Sequence, residues 1–321
     1  MQTRLFAAPS PHIHGGEKTP RIMGDVVLAL IPALAVSIYA LGWRVLMITA
    51  ISIVSCVLFE YLIQRFLLKG RNTIGDLSAV VTGLLLAFNL PVGIPWWIVV
   101  IGALVAIGIG KMTFGGLGCN PFNPALTGRI FLLIAYPVQM TDWTTSVPDA
   151  LSGSTALADF KLQYVTNAVS FDNHNFLDML LGDMNGSMGE IGALALILGG
   201  LYLLVRRVIT WHIPVAVLGT MIIFSVCAAI PMGGAMLWQM PTFHLLAGGA
   251  LLGAIFMATD YATSPMTHKG MIIYGIGIGA ITMIIRLWGA YPEGMSFAIF
   301  IMNAVTPLIN KYCRPKRFGT K

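Results

Sequence analysis

Ten apolar runs, near residues 23–41, 45–67, 77–90, 96–110, 122–138, 190–205, 213–231, 244–258, 270–287 and 296–311, decide what this chain can fold into. A helix needs about 20 apolar residues to cross the hydrocarbon core of a bilayer, where every backbone N–H and C=O must be satisfied inside the fold. Only 10% of the 321 residues are charged, against about 25% in a soluble domain, and the mean hydropathy is +0.82. The expected fold class is an all-α polytopic membrane protein of about ten transmembrane helices. In a soluble chain a net charge of +6 would point to nucleic acid. Here it marks basic loops on one side of a lipid bilayer, with no nucleic-acid partner. The first 22 residues are polar, so the first span is expected to act as the insertion signal, without a cleavable signal peptide.

Charge also sets the direction. The stretch from about 139 to 190 holds Asp142, Asp149, Asp159, Asp172, Asp178, Asp183 and Glu190, seven of the chain's 13 acids, against one base, Lys161. Lys69, Arg71, Lys111, Arg206, Arg207, Lys269 and the basic C-terminus fall on the opposite side at every alternate loop. Basic loops stay cytoplasmic. The expected plan is a cytoplasmic tail at 1–22, a first membrane half at 23–138, an extracytoplasmic acidic loop at 139–189, a second membrane half at 190–312 and a basic cytoplasmic tail at 313–321.

Five spans precede the acidic loop and five follow it. An odd-numbered half reverses direction when duplicated, so a repeat would be inverted. The third and eighth runs are short and end in "LLLAFNLPVGIP" and "GAIFMATDYATSP", while the fifth and tenth carry "NPFNPAL" and "MNAVTPL". Short interrupted segments in matching places are expected of half-helices that stop in a protein-lined cavity.

Soluble catalysis has no foothold. There is no G-x-S-x-G or H-E-x-x-H, and the four cysteines and six histidines are scattered, so no catalytic residue and no metal site is expected. "GIGKMT" at Gly108 lacks the spacing of a phosphate loop, and the glycines of "YGIGIGA" lie within a span, where small residues let helices approach. Charges inside spans are costly and face protein, a partner charge or water. Glu60, Asp76, Arg129 and Asp260 are therefore candidates for an ion path, with structural acid–base pairing as the other reading; Asp25 and Arg286 share the same kind of position. Two polar loops, Thr113–Arg129 and Met257–Pro265, look like the walls of a ligand site. In them Gly115, Gly116, Asn120, Asn123, Thr259 and Asp260 are candidate contacts, and ordinary inter-helix turns are the alternative.

The heptapeptide "DALSGST", Asp149 to Thr155, lies in the acidic loop. On residue chemistry alone its last hydroxyl reads first as a cap for the helix-forming "ALADFKLQYVTNA" and second as an attachment point. It is not a capping box, because Ala158 stands three residues after Thr155.

Five stretches, "SPHIHGGEKTPRIMGDVVLALIPA", "GGLGCNPFNPALTGR", "DALSGST", "FMATDYATSPMTHKG" and "RLWGAYPEGMSFAIFIMNAVTPLI", span nearly the whole chain in order. In them the sequence resembles the family that joins the D subunits of Rnf electron-transport complexes to the B subunits of sodium-pumping NADH:quinone oxidoreductases. The resemblance implies a five-plus-five inverted fold like that of urea transporters, in a bacterial or archaeal cytoplasmic membrane. It also implies covalent FMN, moved by a flavin transferase onto the last residue of D-x-x-[ST]-G-[AS]-[ST]. Asp149, Ser152, Gly153 and Ser154 fill the fixed positions, and Thr155 takes the phosphoester. A second, non-covalent flavin, riboflavin or FMN, is implied within the membrane part, with the two polar loops as its walls.

The implied function is electron relay between ferredoxin and NAD, coupled to Na+ or H+ translocation. Implied partners are Rnf subunits A, B, C, E and G, with ferredoxin and NAD reached through other subunits. Two other readings stand beside it. One is the quinone-reducing B subunit, against which the short N-terminal segment argues; the other is a flavin-free channel for a small neutral solute, which has no use for "DALSGST".

Overall fold

The computed structural model describes residues 18–69, 73–143, 155–166, 171, 176–182 and 186–314. Among them there is no strand. The first half begins with α1 (Thr19–Leu41) and α2 (Arg44–Leu62), which continues as a π-helical turn over Ile63–Leu68. Next come α3 (Ser78–Phe88) and α4 (Trp96–Leu104), which runs on through a π-helical turn at Val105–Ile109. This half closes with α5 (Pro124–Ala135) and the single turn α6 (Pro137–Met140). Two short helices, α7 (Ala156–Val165) and α8 (Phe176–Leu181), lie in the acidic loop. The second half comprises α9 (Ala193–Val205), α10 (His212–Ala229), α11 (Met236–Leu246), α12 (Ala250–Leu252, continued by a π-helical turn at Gly253–Met257), α13 (His268–Trp288) and α14 (Met295–Tyr312).

Five of these stretches are long and apolar enough to cross a membrane, and a sixth is added if α11 and α12, bent by 63°, count as one span. The chain is therefore a polytopic helical membrane protein. Of the other expected runs, three form apolar helices too short to cross alone: α3, α5 and α9, of 11, 12 and 13 residues. At 1.5 Å per residue, 11 residues reach about 16 Å, roughly half the hydrocarbon thickness. Outside the acidic loop, the ten runs largely miss one helix, α11, whose Gln239, Pro241 and His244 break its apolar pattern.

Local chemistry accounts for the helix ends that shape the interior. Asn123 caps α5, its Oδ1 accepting from the N–H groups of Ala125 at 3.0 Å and Leu126 at 3.4 Å, with Pro124 at the first helical position. Thr267 caps α13 by accepting from the Gly270 N–H at 3.2 Å. The glycines of "YGIGIGA" serve close packing as expected. A Cβ on Gly275 would stand 2.6 Å from the Ala216 Cβ, so α13 lies hard against α10.

Candidate cavity and buried ion pairs

Polar side chains gather at the two ends of the helix packing. At the end where α1 and α3 begin, a cavity encloses about 770 Å³, counted out to its open mouth. Its wall is mostly apolar, with Ile22, Val26, Leu85, Leu203 and Phe256, and its polar groups are Ser78, Thr82, Lys111, Asn120, Asn123, Thr259, Asp260 and the Tyr261 phenol. A largely apolar cleft with a few converging polar groups is the usual form of a small-molecule site. Four of the six residues expected at a ligand wall are therefore brought together: Asn120, Asn123, Thr259 and Asp260. Gly115 and Gly116 are not in this wall. They take φ of 109° and 97°, which turns the chain between Lys111 and Asn120.

The carboxyl of Asp260 lies where the chain leaves α12. Burial pushes it above its ordinary 3.8, against hydrogen bonds donated by the Ala262 N–H, the Thr263 hydroxyl, the Asn120 amide and the Tyr261 N–H. Tyr261 in turn donates its hydroxyl proton to the Val208 carbonyl.

Behind the cavity wall, Glu60 is completely buried and paired with Lys111, whose Nζ lies 2.6 Å from the carboxylate. Lys111 also donates to Ser78 Oγ at 2.6 Å, and Ser78 donates to Asp76 Oδ1 at 2.5 Å. On the other side of Glu60, Gln64 donates at 3.2 Å and the Thr73 hydroxyl at 3.3 Å. Glu60 and Asp76 thus belong to one network. Its keystone, Lys111, was expected in a basic loop; two glycines precede it within a span, and nothing in that sequence says it turns inward.

At the far end, Arg129 is buried and donates to Asn89 Oδ1 at 2.7 Å and Ser296 Oγ at 2.6 Å, and it pairs with Glu293. Arg286 spends its guanidinium on carbonyls, His244 at 2.6 Å, Ala247 at 2.9 Å and Gly248 at 3.0 Å, which ties α13 to the bend between α11 and α12. Glu190, counted with the loop acids, is itself buried close to Gly249. Asp25 pairs with Arg206 at 3.0 Å. Arg129 and Asp260 stand in separate clusters from Glu60 and Asp76, so the four ion-path candidates do not form one site. Sequence reasoning missed Asn89, Glu293 and Ser296, whose roles arise only from the way the two halves meet.

Of "DALSGST", Asp149 through Ser154 lie outside the described residues, and Thr155 lies within them. Thr155 is buried, and its Oγ1 accepts from the Ala158 N–H at 3.2 Å as the cap of α7. The capping reading is borne out. From there α7 packs inward: Phe160 lies 5.3 Å from Phe243 and 4.8 Å from His244, and Lys161 donates to the carbonyls of Gly289 and Tyr291.

The fold and these sites define a polytopic helical membrane protein that holds ionic groups inside its packing beside a ligand-sized cavity. The chain belongs to the NQR2, RnfD, RnfE family, whose model matches residues 6–319. It is 47% identical to the D subunit of the Na(+)-translocating ferredoxin:NAD(+) oxidoreductase complex of Acetobacterium woodii, over 99% of this chain and 96% of that protein. It is 44% identical to the D subunit of the proton-translocating ferredoxin:NAD(+) oxidoreductase complex of Clostridium ljungdahlii, over 97% and 95%. To the D subunit of the ion-translocating oxidoreductase complex of Stutzerimonas stutzeri it is 39% identical, over 93% and 92%.

Proposed function

We propose that this chain is the D-type membrane subunit of an ion-translocating ferredoxin:NAD+ oxidoreductase complex, passing electrons on bound flavin while the complex moves Na+ or H+. The observation that carries the reading is similarity over nearly the full length to subunits of that name, at 47% and 44% identity. The chain is one part of a multi-subunit translocase, and in this reading its partners are subunits A, B, C, E and G. Ferredoxin and NAD meet other subunits.

Two flavins fit the residues present. At Thr155 the cap uses an oxygen lone pair and leaves the hydroxyl proton to be exchanged for phosphorus, so capping and a phosphoester to FMN are chemically compatible. Because Thr155 is 4% exposed once α7 has docked, the transferase acts before docking. Asp149, Ser152, Gly153 and Ser154 supply the rest of the recognised segment. The cavity suits a second, non-covalent flavin: its apolar walls accept a planar ring, and Asn120, Asn123, Thr259 and Asp260 offer donors and acceptors to its polar edge. Bound flavin would supply one- and two-electron chemistry, and the chain would supply position and electrostatics. Glu60 with Asp76, Arg129 and Asp260 are the ionisable groups proposed for the ion path.

The proposed architecture is two inverted five-helix halves of the urea-transporter kind, placed in a prokaryotic cytoplasmic membrane with both termini cytoplasmic and 139–189 outside. Matching contacts support it. α2 touches α4 as α10 touches α13, α4 touches α5 as α13 touches α14, and α1 meets α9 while α5 meets α14 across the middle.

The decisive experiment denatures the purified chain, runs it on a gel and reads flavin fluorescence. A fluorescent band that Thr155→Ala abolishes is expected. A dark wild-type band from cells containing the transferase would sink the attachment, and would favour the flavin-free channel.

A further inference from the structure

We propose that Glu60 is a site for a monovalent cation and that the Lys111 ammonium is its tethered competitor, leaving the carboxylate for the cavity when a cation arrives. The exchange rests on the reading above, in which the cavity holds a redox ligand.

The placement of the pair is what carries this. Lys111 and Ser78 form part of the cavity wall, whereas Glu60 lies behind them and is not part of it. Through its other oxygen, Glu60 is hydrogen-bonded to the hydroxyl of Thr73, an exposed residue that is not part of the cavity wall. The carboxylate is therefore one hydroxyl from solvent and one ammonium from the cavity. Two hydroxyl oxygens are at hand: Thr73 Oγ1, 3.3 Å from the carboxylate, and Ser78 Oγ, which shares the Lys111 ammonium with Glu60 and reaches Asp76. Gln64 completes the enclosure, its Nε2 donating to Glu60 at 3.2 Å and its Oε1 accepting from the Thr73 N–H at 2.9 Å. Hard oxygen donors suit a hard monovalent ion. Among the described residues the titratable groups around Glu60 are Lys111, Asp76 and Cys56.

Physics limits what the carboxylate can hold. A carboxylate shielded from water needs a partner charge, and removing one member of such a pair is far costlier than replacing both. Glu60 must therefore hold Lys111, a proton or a metal cation. With Lys111 bound, the pair is neutral. Lys111 would turn from Glu60 to the cavity if a ligand held there were reduced by one electron from the ferredoxin side of the complex, and Glu60 would then take one cation through the Thr73 side. One electron and one cation enter, and no net charge is left buried. With Na+ no covalent bond changes; with a proton, one O–H bond forms on Glu60, at the expense of solvent.

The test is Na+ binding to the purified complex, by calorimetry, with proton uptake read by an indicator dye. In the oxidised state Lys111→Met should bind Na+ at least about tenfold more tightly than wild type, or take up one more proton, since couplings of this kind are typically 5–150-fold. Lys111→Arg should keep the weak wild-type behaviour, and Glu60→Gln, alone or with Lys111→Met, should lose the site. Reducing the wild-type complex should also tighten binding, which needs no variant and so covers a Lys111→Met chain that fails to fold. Unchanged Na+ affinity and proton uptake, both in Lys111→Met and on reduction, would overturn the proposal. Full Na+ binding in Glu60→Gln would overturn it too. Acid-released flavin is counted in parallel: its absence from wild type sinks the cavity-flavin reading, while the oxidised comparison still judges the exchange.

Discussion

Asn123 Nδ2 donates to the Met257 carbonyl at 3.2 Å, so the cap of α5 also holds the end of the π-helical turn that follows α12. One side chain thus fixes a helix start in the first half and a broken span in the second. Asn123→Ala should lose about 1 kcal/mol from the cap alone, and more from the tie. Asn123→Ser keeps a capping oxygen and is too short to reach the Met257 carbonyl. Thermal unfolding in detergent should rank wild type above Asn123→Ser and Asn123→Ser above Asn123→Ala, and equal melting of wild type and Asn123→Ser would discount the tie.

Arg129 joins Asn89 of the first half to Ser296 and Glu293 of the second. Arg129→Ala leaves Glu293 without its cation, and breaking a buried pair on one side costs about 3–5 kcal/mol. A strong loss of thermal stability is expected, together with impaired ion-coupled ferredoxin:NAD+ turnover. Retained stability with turnover unchanged would show the cluster to be dispensable.

Gly248 sits at the bend between α11 and α12 with φ of +68°, and a Cβ there would lie 2.0 Å from Leu157 Cδ1 and 2.6 Å from Arg286 Nη2. Gly248→Ala is strained in its backbone and displaces both neighbours. It should release α7, seen as faster protease cleavage within 156–165, by several-fold or more. A cleavage rate matching wild type would mean that Leu157 yields without cost.

The raised carboxyl of Asp260 gives a pH dependence with a definite sign. An acid whose folded-state value exceeds its unfolded one contributes fully below the unfolded value, here an ordinary 3.8, and that contribution is lost as pH rises through the folded one. The wild type should therefore lose stability from Asp260 as pH climbs above about 4. Asp260→Asn, uncharged throughout, should flatten that part of the curve. Parallel wild-type and variant curves would assign the slope to other groups.

Much of the fold could be read from composition alone, because lipid leaves the backbone few choices: nine of the ten apolar runs begin within a few residues of a helix. The exception is the eighth, near 244–258, where Pro241 and His244 hid α11 and the run captured only the last part of a bent pair. The site was half legible. Asn120, Asn123, Thr259 and Asp260 stood out as polar groups beside interrupted spans, and they do line one cavity. Lys111 did not, since a lysine at the end of a span looks the same whether it faces a headgroup or Glu60. Gly115 and Gly116 lie outside that wall, with positive φ values that turn the chain, and glycine marks a turn as readily as a ligand wall.

The hydroxyl that caps α7 has a consequence for how such a protein is made. Thr155 is not a loose end: it already satisfies the first turn of α7, and it is buried. If FMN is carried there as proposed, the chain can close over that hydroxyl and hide an unloaded state from any inspection that senses exposed or unfolded surface. On the proposed reading, cells lacking the transferase should thus accumulate a well-folded protein whose denatured band shows no flavin fluorescence, and the timing of loading, rather than the stability of the product, decides which molecules carry the covalent flavin.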